Sequence, residues 1–307
     1  MSWFTENNDI QRQLETISLY FDLGPILSAK RLGEGYANKN YIVTTTTGEF
    51  IIKIVLNHTQ AELEQEQTYL KRLAEHAFPA AYYLLSPHGS FCYQNEHILA
   101  VALPKKEGSI PEKSEPMNRE LGAHLARLHL IPTDTLPPKA SWMNPSYLPD
   151  ALEVARQRLE QQEVQRFLQA YERIRHFQPT SLPQSIIHGD VVPPNCLFLG
   201  SQLTALLDWE EVTVGASILD VAMSLLLFCF VQRRFQQNLF AHLLDGYTAV
   251  RPLTKDEYDQ LEIAVKYVGL TISTYFLLQF MLYHPDEHLK TMRTFYWDYQ
   301  LDTWSIK

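Results

Sequence analysis

The run IIHGDVVPPNCLF, residues 186–198, sets His188, Gly189 and Asp190 behind two apolar residues and places Asn195 five positions after the aspartate. SQLTALLDWEEV follows, in which LTALLD reads as a strand with Asp208 at its end. A strand–loop–strand hairpin can aim Asp190, Asn195 and Asp208 at one point. Asn195 and Asp208 are two oxygen donors of the kind that suits Mg²⁺, which keeps several waters and borrows phosphate oxygens. Asp190 is then left to accept a proton from an attacking hydroxyl. Phosphoryl transfer needs this division of labour, because its loose transition state is stabilised mainly by positioning and charge.

A nucleotide must be held elsewhere. Lys53, in FIIKIV, lies in a strand-like run with apolar neighbours, where an ammonium is costly unless an anion meets it. ATP phosphates would serve, with Glu66 on the next helix placed to pair with Lys53. The loop RLGEGYANKNY (31–41) offers Gly33 and Gly35 as a phosphate cover, although the same two glycines fit a plain hairpin.

The elements that must carry these residues fall into two groups. Residues 6–22 read as a helix, with Ile10, Leu14, Ile17 and Leu19 at near-helical spacing. ILSAKRL, NYIVTTTTG and EFIIKIV read as strands, and TQAELEQEQTYLKRLAEH as a helix capped by Thr59. AAYYLLSP and HILAVAL complete a five-strand set around a polar turn at CYQNE. Residues 1–103 are therefore expected to form a small lobe, an antiparallel sheet plus helix that binds the nucleotide. Residues 104–116, charged and carrying Pro and Gly, are expected to be a linker. Residues 117–307 read as a large, mostly helical lobe with the catalytic loop and acceptor site. Its helices are expected at 117–131, 150–176, 216–231, 234–249, 255–283 and 286–305, with a proline-rich loop at 132–149.

The motifs resemble those of the aminoglycoside phosphotransferase and choline kinase superfamily: His188-Gly189-Asp190, Asn195, Asp208-Trp209-Glu210, Gly215 and Asp220-Val221-Ala222, in order and suitably spaced. LGAHLARLH (121–129) is similar to the family's helix before the catalytic loop. The resemblance covers roughly residues 28–260. It implies a bilobal, protein-kinase-like α+β fold, ATP and Mg²⁺ as cofactors, Asp190 as catalytic base, and His188 and Asp220 as structural supports of the loop. Within the superfamily, EGYANKNYIV and LLDGYTAVRPLTKDEYDQL are most similar to homoserine kinases of this fold. That favours a homoserine-like amino alcohol as the small-molecule acceptor. Aminoglycosides, choline or ethanolamine, and methylthioribose remain alternatives. A carboxylate-bearing acceptor would call for a guanidinium, and Arg233, Arg234 and Arg251 are available.

Composition narrows the classes further. A formal net charge of -9 without a basic block excludes nucleic acid as the expected partner. Cys92, Cys196 and Cys229 are scattered and odd in number, as expected for thiols of a reducing compartment. The N-terminus lacks the pattern of a signal peptide, and YVGLTISTYFLLQFMLY carries Thr, Ser and Gln as a buried helix does. A cytoplasmic chain with no membrane partner is expected. A catalytically silent, nucleotide-binding module is the second class, against which intact Asp190, Asn195, Asp208 and Lys53 weigh. A protein kinase fits less well, since the segment after DWE runs almost directly into the ILDVAMSLLL helix.

Overall fold

The computed structural model describes residues 3–33, 38–137, 139–140, 142–143, 148–155, 159–282 and 292–306; Gly35 lies outside them. The chain divides into two compact units, Met1–Gly108 with Thr204–Leu207, and Ser109–Leu203 with Asp208–Lys307.

The N-terminal unit runs α1 (Trp3–Tyr20), β1 (Ile26–Leu32), β2 (Asn38–Thr45), β3 (Glu49–Val55), α2 (Gln60–Glu75), β4 (Cys92–Gln94) and β5 (Leu99–Pro104). The strands form one antiparallel sheet in the order β1-β2-β3-β5-β4. Leu14 and Ile17 of α1 join a core with Tyr41, Val43, Ile52, Ile54, Ala100 and Ala102. Leu19 does not: it is 80% exposed, because two residues past Ile17 is about 200° around a helix. Side chains alternate across a strand, so Lys53 projects from the sheet face opposite Ile52 and Ile54. Thr59 and Glu62 close a capping box at the start of α2, whose Leu63, Leu70 and Leu73 are buried.

The expected strand AAYYLLSP is not one. Its backbone pairs only in isolation, through a parallel bridge from Ala80 to Leu206 and a bond from Leu84 N–H to the Ala102 carbonyl at 2.8 Å. The strand beside β5 is instead Cys92–Gln94, inside the expected turn. Pro79 and Pro87 bound the extended stretch, and the N–H groups between them go to separate partners, Ala81 to the Leu206 carbonyl and Ser86 to that of Ser90, so no continuous ladder forms.

The C-terminal unit contains α3 (Glu115–Leu128), α4 (Leu148–Ala155), α5 (Gln161–Ile174), β6 (Gln184–Ile187), β7 (Cys196–Leu199), then β8 (Gln202–Leu206, whose end belongs to the first unit), β9 (Thr213–Ala216), α6 (Ser217–Phe228), α7 (Gln237–Thr248), α8 (Lys255–Asp259) and α9 (Leu261–Leu282). Three expected long helices are interrupted. The one at 150–176 is divided between α4 and α5, with Leu159 and Glu160 non-helical. The one at 255–283 breaks at Gln260 into α8 and α9. Of 286–305, the described residues include the short helix Phe295–Asp298 followed by turns, with Gln300 at φ 55. Phe295, Tyr296 and Leu301 pack there as core.

α9 packs on α6, which is buried on nearly every side. Among the described residues Leu261–Gln279 alone is long and apolar enough to cross a membrane, and 67% of that window is buried inside the protein. An all-round apolar helix of this kind is what the centre of a helical core requires.

Candidate active site

β6 pairs with β9 and delivers the loop from His188 to Asn195 from a fixed backbone. The N–H groups of His188 and Gly189 donate to the Asp220 carboxylate at 2.7 and 3.0 Å. His188 is fully buried and its ring lies 4.5 Å, centroid to centroid, from that of Trp209. Its Nδ1 accepts the Asp190 N–H at 3.2 Å. Pro193 and Pro194 open a tight turn, Pro193–Asn195, that their locked φ favours. The Asn195 amide then donates to the Asp190 carbonyl at 3.0 Å and to Asp190 Oδ2 at 2.8 Å. Its nitrogen engaged, Asn195 keeps its carbonyl oxygen for another partner. Asp208 follows β8 in the left-handed region, at φ 60, one that Asp tolerates better than most residues.

Asp190 is the electrostatic centre of this group. Burial, then the charges of Asp208 and Glu211, raise its pKa to about 7 against the lowering effect of the Asn195 hydrogen bond. A carboxyl near neutrality combines appreciable ionisation with a real affinity for a proton, the balance a general base requires. Glu211 is also raised, by burial first, with the Lys139 ammonium opposing.

Residues distant in the chain flank this cluster. Lys139 Nζ donates to the Glu210 carbonyl, and Thr213 Oγ1 to the Lys139 carbonyl at 2.7 Å. Trp142 Nε1 donates to the Gly189 carbonyl at 3.0 Å, and the Trp142 ring meets Tyr275 edge-on at 5.6 Å. Burial, then the charges of Glu211 and Asp190, raise the Tyr275 pKa. The segment around Lys139–Met143 lies some fifty residues from the loop it braces, and no spacing rule reaches that far. The doubled acid of DWEEV was the one available signal, for Glu211.

Asp190, Asn195 and Asp208 thus belong to one cluster in the C-terminal unit. Among the described residues no group of three or more His, Cys, Asp or Glu could hold a metal alone. Mg²⁺ asks for less, one or two protein oxygens with water and phosphate supplying the rest, and the free Asn195 carbonyl with the Asp208 carboxylate fits that donor set. Lys53 and Glu66 belong to the N-terminal unit, 8% and 3% exposed. The Tyr83 hydroxyl donates to Glu66 Oε1 at 2.5 Å. Gly33 follows β1 at φ 51, and among the described residues none would lie within 4 Å of a Cβ there. Arg251, a candidate for an acceptor carboxylate, is engaged internally with Glu257 at 2.9 Å. Arg233 reaches Asp298 at 3.4 Å.

Comparison with known proteins places the chain in a family. The pattern of the phosphotransferase enzyme family (APH) matches residues 28–253. A homoserine kinase of Brucella ovis is 28% identical over 273 residues, covering 87% of this chain and 83% of its own, and one of Brucella canis is 29% identical over 283 residues with the same coverage. Among solved structures, amicoumacin kinase hAmiN in complex with AMP-PNP, Ca²⁺ and Ami superposes with a TM-score of 0.75 at 16% identity over 100% of this chain and 98% of its own. A choline/ethanolamine kinase family protein from Mesorhizobium loti gives 0.68 at 16% identity over 97% and 95%. These likenesses establish the fold as α+β and protein-kinase-like. The chain belongs to the phosphotransferase enzyme family and is a small-molecule kinase.

Proposed function

We propose that the chain moves the γ-phosphoryl group of ATP to a hydroxyl of a small metabolite, with a homoserine-like amino alcohol as acceptor. The observation that carries the reading is the Asp190–Asn195 contact at 2.8 Å, in a loop where burial and neighbouring acids lift Asp190 to about pH 7. Asp190 takes the acceptor's proton as its oxygen attacks phosphorus. Asn195 and Asp208 would hold Mg²⁺, which when bound neutralises phosphate charge. Lys53, positioned by Glu66, would clamp the ATP phosphates under the loop of Gly33 and Gly35. His188 and Asp220 keep the catalytic loop in shape. In this reading residues 1–103 bind nucleotide, 104–116 link the lobes, and 117–307 carry the acceptor site. The homoserine preference is supported by the Brucella relatives, named homoserine kinase and alignable over 87% of the chain. Three buried free cysteines suit a reducing, cytoplasmic setting.

The test is Mg²⁺-dependent ADP release from ATP with L-homoserine, choline, ethanolamine, methylthioribose and kanamycin, with Asp190→Ala as the blank. A strong response to L-homoserine that vanishes in the variant is the expected result. A dominant response to another acceptor would overturn the substrate while keeping the reaction. Nucleotide binding with no turnover on any acceptor would favour a silent binding module.

A further inference from the structure

The stretch DGYTAVRPLTKDE, residues 245–257, supplies nothing to the cluster around Asp190, yet hydrogen bonds connect it to the catalytic loop. α3 and α7 cross at two glycines. A Cβ on Gly122 would lie 2.1 Å from the Leu243 carbonyl oxygen, and one on Gly246 1.9 Å from that of Arg119. Only hydrogen fits at either point. The close crossing brings Tyr247, 1% exposed, against His129 at the C-terminal end of α3, with its hydroxyl 2.7 Å from Nδ1. The other ring nitrogen, Nε2, lies 3.3 Å from Asp220 Oδ2, the oxygen that also takes the His188 N–H. Behind Tyr247, Arg251 Nη1 donates to the hydroxyl at 3.0 Å while Nη2 donates to Glu257 Oε1 at 2.9 Å. Glu257 is fully buried and closes a capping box with Thr254.

The chemistry of the donors fixes the direction of this chain. A guanidinium can only donate and an ionised carboxylate can only accept, so the Tyr247 oxygen accepts from Arg251, Asp220 calls for the proton on His129 Nε2, and the Nδ1 of a neutral ring is left to accept the Tyr247 proton. Burial raises the Tyr247 pKa well above its ordinary value, which keeps that proton in place at neutral pH. With Nδ1 accepting, the ring proton of His129 sits on Nε2, facing Asp220; the partner of one ring nitrogen sets the role of the other. Asp220 then receives three donors, from His129, His188 and Gly189.

We propose that Tyr247 is a positioning residue for phosphoryl transfer: it fixes the His129 tautomer, so that Asp220 holds the His188–Gly189 backbone and sets the orientation of Asp190. The inference rests on the kinase reading above. Remove the hydroxyl and His129 can carry its proton on Nδ1, leaving Asp220 Oδ2 short of a donor. The loop then loosens at His188, two residues before the base. Misplacement of a catalytic group by about 1 Å costs up to about a hundredfold in rate.

Two measurements test this on the full-length chain. The first is ¹⁵N NMR of the imidazoles of the wild type, assigned with His129→Gln. A His129 proton on Nε2 is expected, and one on Nδ1 would overturn the relay without any assay of turnover. The second is steady-state kinetics of Tyr247→Phe and Arg251→Lys beside thermal unfolding. Tyr247→Phe is expected to lower kcat about ten- to a hundredfold with KM for ATP and acceptor within about twofold, and Arg251→Lys to lower it less. Unchanged kcat per folded molecule in Tyr247→Phe, whatever its melting temperature, would make the residue merely structural and sink the proposal. An inactive wild type would instead remove the kinase reading and the positioning role with it, while the tautomer result still judges the hydrogen-bond chain.

Discussion

Gly189 and Glu211 meet through their backbones. Gly189 holds φ at +80, and a Cβ on it would sit 2.6 Å from the Glu211 carbonyl oxygen. The loop carrying Asp190 and the segment after Asp208 therefore approach as closely as two backbones can, which keeps the Glu211 charge next to Asp190.

Gly189→Ala meets both obstacles together. A side chain in the left-handed region costs about 1–2 kcal/mol, and relief of the overlap must move one backbone or the other. Chemical denaturation should show a loss of about 2–3 kcal/mol, within the range of backbone-strain substitutions, and kcat should fall with it. A variant of wild-type stability and activity would mean that the loop has slack.

Asn195→Ala deletes the amide that bonds the Asp190 carbonyl and carboxylate along with the oxygen proposed to hold Mg²⁺. Turnover at saturating ATP should drop by about 10²–10³, the scale seen when one preorganised polar group is removed. The MgCl₂ concentration for half-maximal rate should rise. An unchanged magnesium requirement would remove Asn195 from the ligand set.

Lys53→Met should act on nucleotide, not on fold. ATP·Mg at about 100 times its Kd should stabilise the wild type by about 2.7 kcal/mol, and the variant should lose most of that thermal shift. Lys53 is buried on β3, so a Met side chain of similar length keeps its packing. Retention of the full shift would place the phosphates elsewhere.

His124 makes stability depend on pH. Burial first, then the Arg127 charge, lower its pKa despite the Glu120 interactions that raise it. The unfolded chain takes up a proton near the ordinary value of about 6.5 while the native state still refuses it. The stabilisation is therefore present above that pH and is lost as pH falls through it towards the depressed native value. Melting temperatures at pH 7.5 and 5.5 should differ more in the wild type than in His124→Gln. Equal differences would show that other groups carry the acid sensitivity.

Where sequence spacing was informative, the reason is local physics. The Thr59–Glu62 capping box is a four-residue pattern, and Asp190 and Asn195 meet across five residues of one loop. AAYYLLSP has the composition and alternation of a strand but no continuous partner, and a partner is a tertiary fact that composition does not contain. The breaks at Gln260 and at Leu159–Glu160 fall in sequences without Gly or Pro to announce them. Trp142 and Lys139 were equally hidden. Their contacts to Gly189 and Glu210 depend on how a proline-rich loop returns to the site.

The family match ends at residue 253, between Arg251 and Glu257. A fragment excised at that boundary would include Asp190, Asn195 and Asp208 and still be spoiled. It would strand the Arg251 guanidinium beside Tyr247 with no counter-charge. It would also strip α9 from α6, uncovering apolar side chains such as Leu226, which lies against Gly269 of α9, and leaving a surface prone to association. Any trimmed or fused version of this enzyme has to extend past α9, because the last partners of its buried groups lie beyond its last recognisable motif.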